Sequence, residues 1–123
     1  MAINVDKLNH ILQNFVSATN DVQGAALVTP DGLSLASTLP VNMDEERVSA
    51  MSAAMLSLGE RIGGELSRGS IDRIYVEGND GYGVLSSCGS DAVFLVLASK
   101  AVKQGILFLE IKTALSELKL VMT

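Results

Sequence analysis

Two hydrophobic rhythms alternate along this chain, and the switches between them mark out eight elements. From residue 5 to 18 the rhythm is helical. Val5, Leu8, Ile11, Leu12, Phe15 and Val16 recur three or four residues apart, and Asn4 supplies a capping side chain. After Asn20-Asp21, residues 22 to 28 form a short apolar run that suits a buried strand. Thr29-Pro30-Asp31-Gly32 then offers the residues a tight turn needs: Pro presets φ, Asp bonds its own backbone, and Gly accepts a positive φ. Leu33 to Leu39 returns as the second strand of a hairpin.

Asp44 closes the next loop and caps a long helix predicted from Glu45 to Leu66. Val48, Met51, Met55, Leu58 and Ile62 draw one apolar stripe along it, which is expected to face the sheet. Three strands follow, at 71 to 77, 82 to 88 and 92 to 98, separated by Gly78-Asn79-Asp80-Gly81 and Gly89-Ser90-Asp91. The third is the most continuously apolar and is expected at the centre of the sheet. A last helix is predicted over 105 to 121, with Phe108, Ile111, Leu115, Leu118 and Met122 on one face. The order α-β-β-α-β-β-β-α, with tight turns between strands, predicts an α+β fold. It is a single domain over residues 1–123, with a five-stranded antiparallel sheet, the long central helix on one face and the terminal helices on the other.

Composition narrows what such a domain can do. The net charge is −5, and no run of Lys or Arg offers the basic patch that nucleic acids or anionic membranes require. No apolar stretch approaches the roughly 18 residues of a membrane span. The start, Met1-Ala2-Ile3-Asn4-Val5-Asp6, does not read as a signal peptide. The single cysteine, Cys88, makes no internal disulfide, so the cytoplasm is the expected compartment.

Catalytic devices find little footing. His10 is the one histidine and sits among apolar positions of the first helix. Cys88 ends a strand without the cationic neighbours that activate a thiol. One Cys and one His cannot make a structural zinc site. Asp44-Glu45-Glu46 is explained by its place at a helix N-terminus. No phosphate-binding loop surrounds Gly59, Gly63 and Gly64, which read better as places of close backbone approach. No catalytic residue, cofactor or metal is therefore expected.

The central helix carries a second, smooth face. Ala50, Ala53, Ala54 and Ser57 lie on its flank, with Leu56 well away from the apolar stripe. Small side chains let another helix approach closely, and symmetric dimers are the commonest oligomers. The strand that follows, with Arg73 and Tyr75, reads as an edge in search of a partner or a guard. The expected homodimer interface is accordingly Ala50, Ala53, Ala54, Leu56, Ser57, Arg73 and Tyr75.

The element order, the segment Gly24-Ala25-Ala26-Leu27-Val28-Thr29-Pro30-Asp31-Gly32-Leu33, the stretch Met51 to Glu60 and the ending Val93 to Ala98 followed by Gly105 together resemble the roadblock / dynein light-chain 7 family. The resemblance covers nearly the whole chain. It implies a homodimer joined through the central helix and the next strand into a ten-stranded sheet. It also implies a small Ras-like GTPase as partner, as for MglB-like bacterial members that regulate the GTPase without hydrolysing GTP themselves. Arg47 and Arg61 on the central helix could reach a phosphate, but both suit an ordinary helix surface. Two other readings remain: a structural adaptor indifferent to nucleotide, and a small-ligand sensor.

Overall fold

The computed structural model describes residues 3–122. Its elements are α1 (Val5–Ala18), β1 (Val22–Val28), β2 (Ser34–Thr38), α2 (Glu45–Glu65), β3 (Arg73–Glu77), β4 (Tyr82–Cys88), β5 (Ala92–Ala98) and α3 (Gln104–Met122). The five strands form one antiparallel sheet in the order β2-β1-β5-β4-β3. The most apolar strand, β5, lies at its centre, as expected.

Local chemistry sets the element ends. Asn4 accepts the Lys7 N–H at 3.1 Å and starts α1. Asp44 accepts the N–H groups of Glu46 and Arg47 at 3.0 and 3.3 Å and starts α2. The acidic cluster is thus a cap with two first-turn carboxylates behind it. In the β1–β2 turn Gly32 adopts φ +95°, and the Leu33 N–H donates to Thr29 Oγ1 at 3.0 Å.

The sheet separates two unequal cores. On one face α1 and α3 press Leu8, Leu12, Phe15, Leu107, Ile111 and Leu118 onto Phe94, Leu27 and Val84. The Phe15 and Phe94 rings meet edge to face at 5.5 Å. On the other face a smaller cluster, Ala26, Val28, Leu85, Val93 and Leu95, is covered by α2. In α3 the buried positions are Leu107, Ile111, Ala114 and Leu118. Phe108, Leu115 and Met122 are only partly buried at the margin of that core.

The orientation of α2 corrects the expected one. Ser49, Ser52, Ala53 and Gly63 are its buried residues. Val48 and Leu56 are half-buried against the smaller core. Met51, Met55, Leu58 and Ile62, expected against the sheet, are 41–58% exposed. The physical reason is the closeness of the helix. A Cβ at Gly63 would stand 2.8 Å from the Gly69 carbonyl oxygen, and one at Gly59 would stand 2.5 Å from Ile74 Cδ1. A face of Met and Leu side chains would hold the helix too far off for these contacts. A Cβ at Gly64 would meet nothing within 4 Å, so close approach explains Gly59 and Gly63 and not Gly64.

Candidate interface

The apolar stripe left outside belongs to a definite side of the molecule. Gly59 and Gly63 of α2 touch Ile74 and Ile71, on and just before β3. Ala50 and Ala53 instead lie against Gly32, in the β1–β2 turn. The helix therefore has one flank toward the β3 edge and another toward the hairpin. Met55 and Ile62 are the i−4 and i+3 neighbours of Gly59 on the helix surface, so they share its flank. Met51 and Leu58 continue that flank outward. Ala54 and Ser57 stand one and two turns beyond Ala50, on the hairpin side.

The strand beneath this apolar flank has a free edge. β3 pairs with β4 and with no other strand among the described residues. Ser87 N–H donates to the Asp72 carbonyl, and Gly78 N–H to the Gly81 carbonyl. In an antiparallel ladder, hydrogen-bonded and non-bonded pairs alternate. Ile74 and Val76 thus spend their backbone groups on β4, while Arg73, Tyr75 and Glu77 turn theirs outward. On the α2 side of the strand, Val76 leaves 46% of its surface exposed.

The opposite side of β3 is aromatic. The Tyr75 ring stacks on Tyr82 with centroids 5.2 Å apart and meets Phe108 of α3 edge to face at 5.8 Å. The Arg73 guanidinium lies 4.2 Å from the Phe108 centroid. Lys100 Nζ pairs with Glu77 at 3.2 Å and covers the Tyr82 ring at 4.6 Å. The Tyr75 hydroxyl oxygen is buried with no hydrogen-bond partner among the described residues. Burial, then the neighbouring Tyr82 and Glu77, push its pKa up. Hydrogen bonding to Glu77 raises that of Lys100.

The residues expected at an interface are split by this arrangement. Ala53 is buried against the sheet and Leu56 is half-buried on it, so both are committed largely within the protomer. Ala50, Ala54 and Ser57 are exposed. Arg73 and Tyr75 lie on the free edge, with their side chains toward α3. Sequence reasoning missed the exposed flank, because its stripe has the same period as a core-facing one. Elsewhere, Cys88 is buried, and burial pushes its thiol pKa up while Lys119 acts in the opposite direction. His10 is exposed. Among the described residues, no group of three His, Cys, Asp or Glu is placed to share a metal ion. No described helix is long and apolar enough to cross a membrane.

Known proteins share this geometry. The family model of the Roadblock/LC7 domain matches residues 8–98. An uncharacterized protein of Methanocaldococcus jannaschii, MJ0714, is 31% identical over 104 residues, spanning 85% of this chain and 87% of its own. Among solved structures, Myxococcus xanthus MglB superposes with a TM-score of 0.92 at 19% identity, covering 99% of this chain and 92% of its own. A roadblock/LC7 domain from Streptomyces avermitilis superposes at 0.87 with 20% identity, covering 94% and 98%. With helix, hairpin, central helix and three-stranded meander matched in order, this chain is a member of the roadblock/LC7 family.

Proposed function

We propose that the chain works as a non-catalytic homodimeric module that binds a small Ras-like GTPase and regulates or scaffolds it. One observation carries the dimer: the free β3 edge lies beneath the exposed apolar flank of α2. An unpaired edge and an uncovered stripe of large aliphatic residues are both liabilities in a lone protomer. A second copy related by a two-fold axis relieves both at once.

Symmetry and charge favour one register. Arg73, Tyr75 and Glu77 turn their backbone groups outward, so these three must pair among themselves. With Tyr75 on the axis, each Arg73 meets the other copy's Glu77, and each Ile74 meets the other copy's Val76. A shift of two residues in one direction sets Arg73 against Tyr75; in the other it sets Glu77 against Tyr75. Either shift loses the two charge pairs. Cross-strand opposite charges contribute about 0.2–1 kcal/mol each, and more where they are shielded from water. The interface so built uses Met51, Met55, Leu58 and Ile62 in place of the alanine flank, together with Arg73 and Tyr75. The GTPase as partner rests on the family resemblance.

Charge reversal tests the register. Arg73→Glu alone and Glu77→Arg alone each place like charges across the axis and should weaken the dimer by about ten-fold or more in a sedimentation concentration series. Mixed one to one, they restore both charge pairs and should form the heterodimer in preference to either homodimer. If Arg73→Glu dimerises as well as wild type, the register is wrong. If wild type does not dimerise, the assembly itself is wrong. For the partner, the wild-type dimer should co-elute with a cognate GTPase in one nucleotide state. Binding equal in GTP and GDP would instead indicate a nucleotide-indifferent adaptor.

A further inference from the structure

We infer that the groove between the β3–β4 end of the sheet and α3 is a docking site for an acidic amphipathic helix of a partner protein. The groove has a volume of 550 Å³ and is bordered by Asp72, Arg73, Ser87, Phe108, Lys112 and Lys119, among others. Its charge is opposite to that of the whole chain. Three cationic side chains face it against one carboxylate, in a protein of net charge −5. Among the described residues the ion pair formed is Lys100–Glu77, so Lys112 and Lys119 have no carboxylate within salt-bridge reach there. Arg73 is held over the Phe108 ring.

The apolar lining has helical order. Phe108, Lys112, Leu115 and Lys119 follow one another every three or four residues along α3, and all border the groove. Apolar and cationic positions therefore alternate turn by turn, with Leu109 beside them 63% exposed. Lys112 and Lys119 are two turns apart, about 10 Å along the axis. A partner helix with carboxylates two turns apart and aliphatic residues between them would satisfy both features. The alternating apolar positions argue for a peptide over a nucleic acid, whose phosphates would gain nothing from Leu109 and Leu115. The overall negative charge adds repulsion against a polyanion.

The site does not depend on the dimer. In the proposed register, the other copy's Glu77 approaches Arg73 and leaves Lys112 and Lys119 free, so those two residues carry the test. Helical peptides from a display library would be selected on the immobilised wild-type protein. Enriched sequences should be net acidic, with apolar residues three or four apart. Their affinity for a folded Lys112→Glu/Lys119→Glu variant should fall at least about ten-fold, the loss expected for one close charge pair. Binding should also slow amide exchange along Phe108 to Lys119. Enrichment of neutral or basic peptides, equal affinity for the variant, tighter binding of a single-stranded oligonucleotide, or no enrichment would each overturn the assignment.

Discussion

The two faces of the sheet spend hydrophobicity in opposite ways. On the α1/α3 face the sheet is met by large side chains: Phe94, Leu8, Leu12, Leu107 and Leu118 are fully buried, while Ile106, Leu109 and Leu120 of α3 stay outside. On the α2 face the helix presents Ser49, Ser52, Ala53 and Gly63 to the sheet and leaves Met51, Met55, Leu58 and Ile62 outside. The first face holds the protomer together. The second is built for nearness, and its unspent apolar surface overlooks an open strand edge.

That contrast can be broken by substitution. The largest effect belongs to the α1/α3 face. Phe94→Ala should cost about 3–5 kcal/mol in urea unfolding, since it removes the largest fully buried side chain and opens a cavity. A loss under about 1 kcal/mol would mean that this core is not the main support.

On the α2 face two adjacent glycines should respond with opposite signs. Gly63→Ala drives a methyl toward the Gly69 carbonyl, which is backbone and cannot swing aside, and should destabilise by about 1–3 kcal/mol. Gly64→Ala meets nothing and should stabilise by up to about 1 kcal/mol through helix propensity. Paired thermal melts would read the difference, and equal shifts would contradict the close approach of α2.

A smaller effect is a pH dependence. Burial raises the Cys88 thiol pKa in the folded state above its ordinary value of about 8.5. The stability linked to it is fully present below the unfolded pKa and is lost as pH rises through the higher folded value. Wild type should therefore lose stability more steeply than Cys88→Ala on the alkaline side of about pH 8.5. Parallel curves would show that burial of the thiol does not matter.

Much of the fold was legible from residue pattern. Short apolar runs and Gly-Asn-Asp-Gly-type turns placed the strands, and Asn4 and Asp44 placed two helix starts. β3 began later than expected, at Arg73, because Ile71 is drawn beneath α2 against Gly63. The orientation of α2 was not legible. Two stripes of equal period run along it, one of small residues and one of large, and hydrophobicity alone selects the large one. The burial of Ser49, Ser52 and Ala53 and the close distances at Gly59 and Gly63 reveal that small side chains face inward. The glycines carried that signal in the sequence, since three of them inside one helix are costly unless something must come close. The groove along α3 was hidden for another reason. Lys112 and Lys119 stand far in sequence from Arg73, and folding brings them to one site.

Sedimentation of the wild type beside Leu58→Glu tests the central claim most directly. Leu58 is exposed in the protomer, so the variant should keep its helical and strand signature in circular dichroism. Wild type should sediment as a dimer across a concentration series, and the variant as a folded monomer. A wild type that stays monomeric throughout, or a Leu58→Glu variant that stays dimeric, would contradict an interface formed by the outer flank of α2 and the β3 edge.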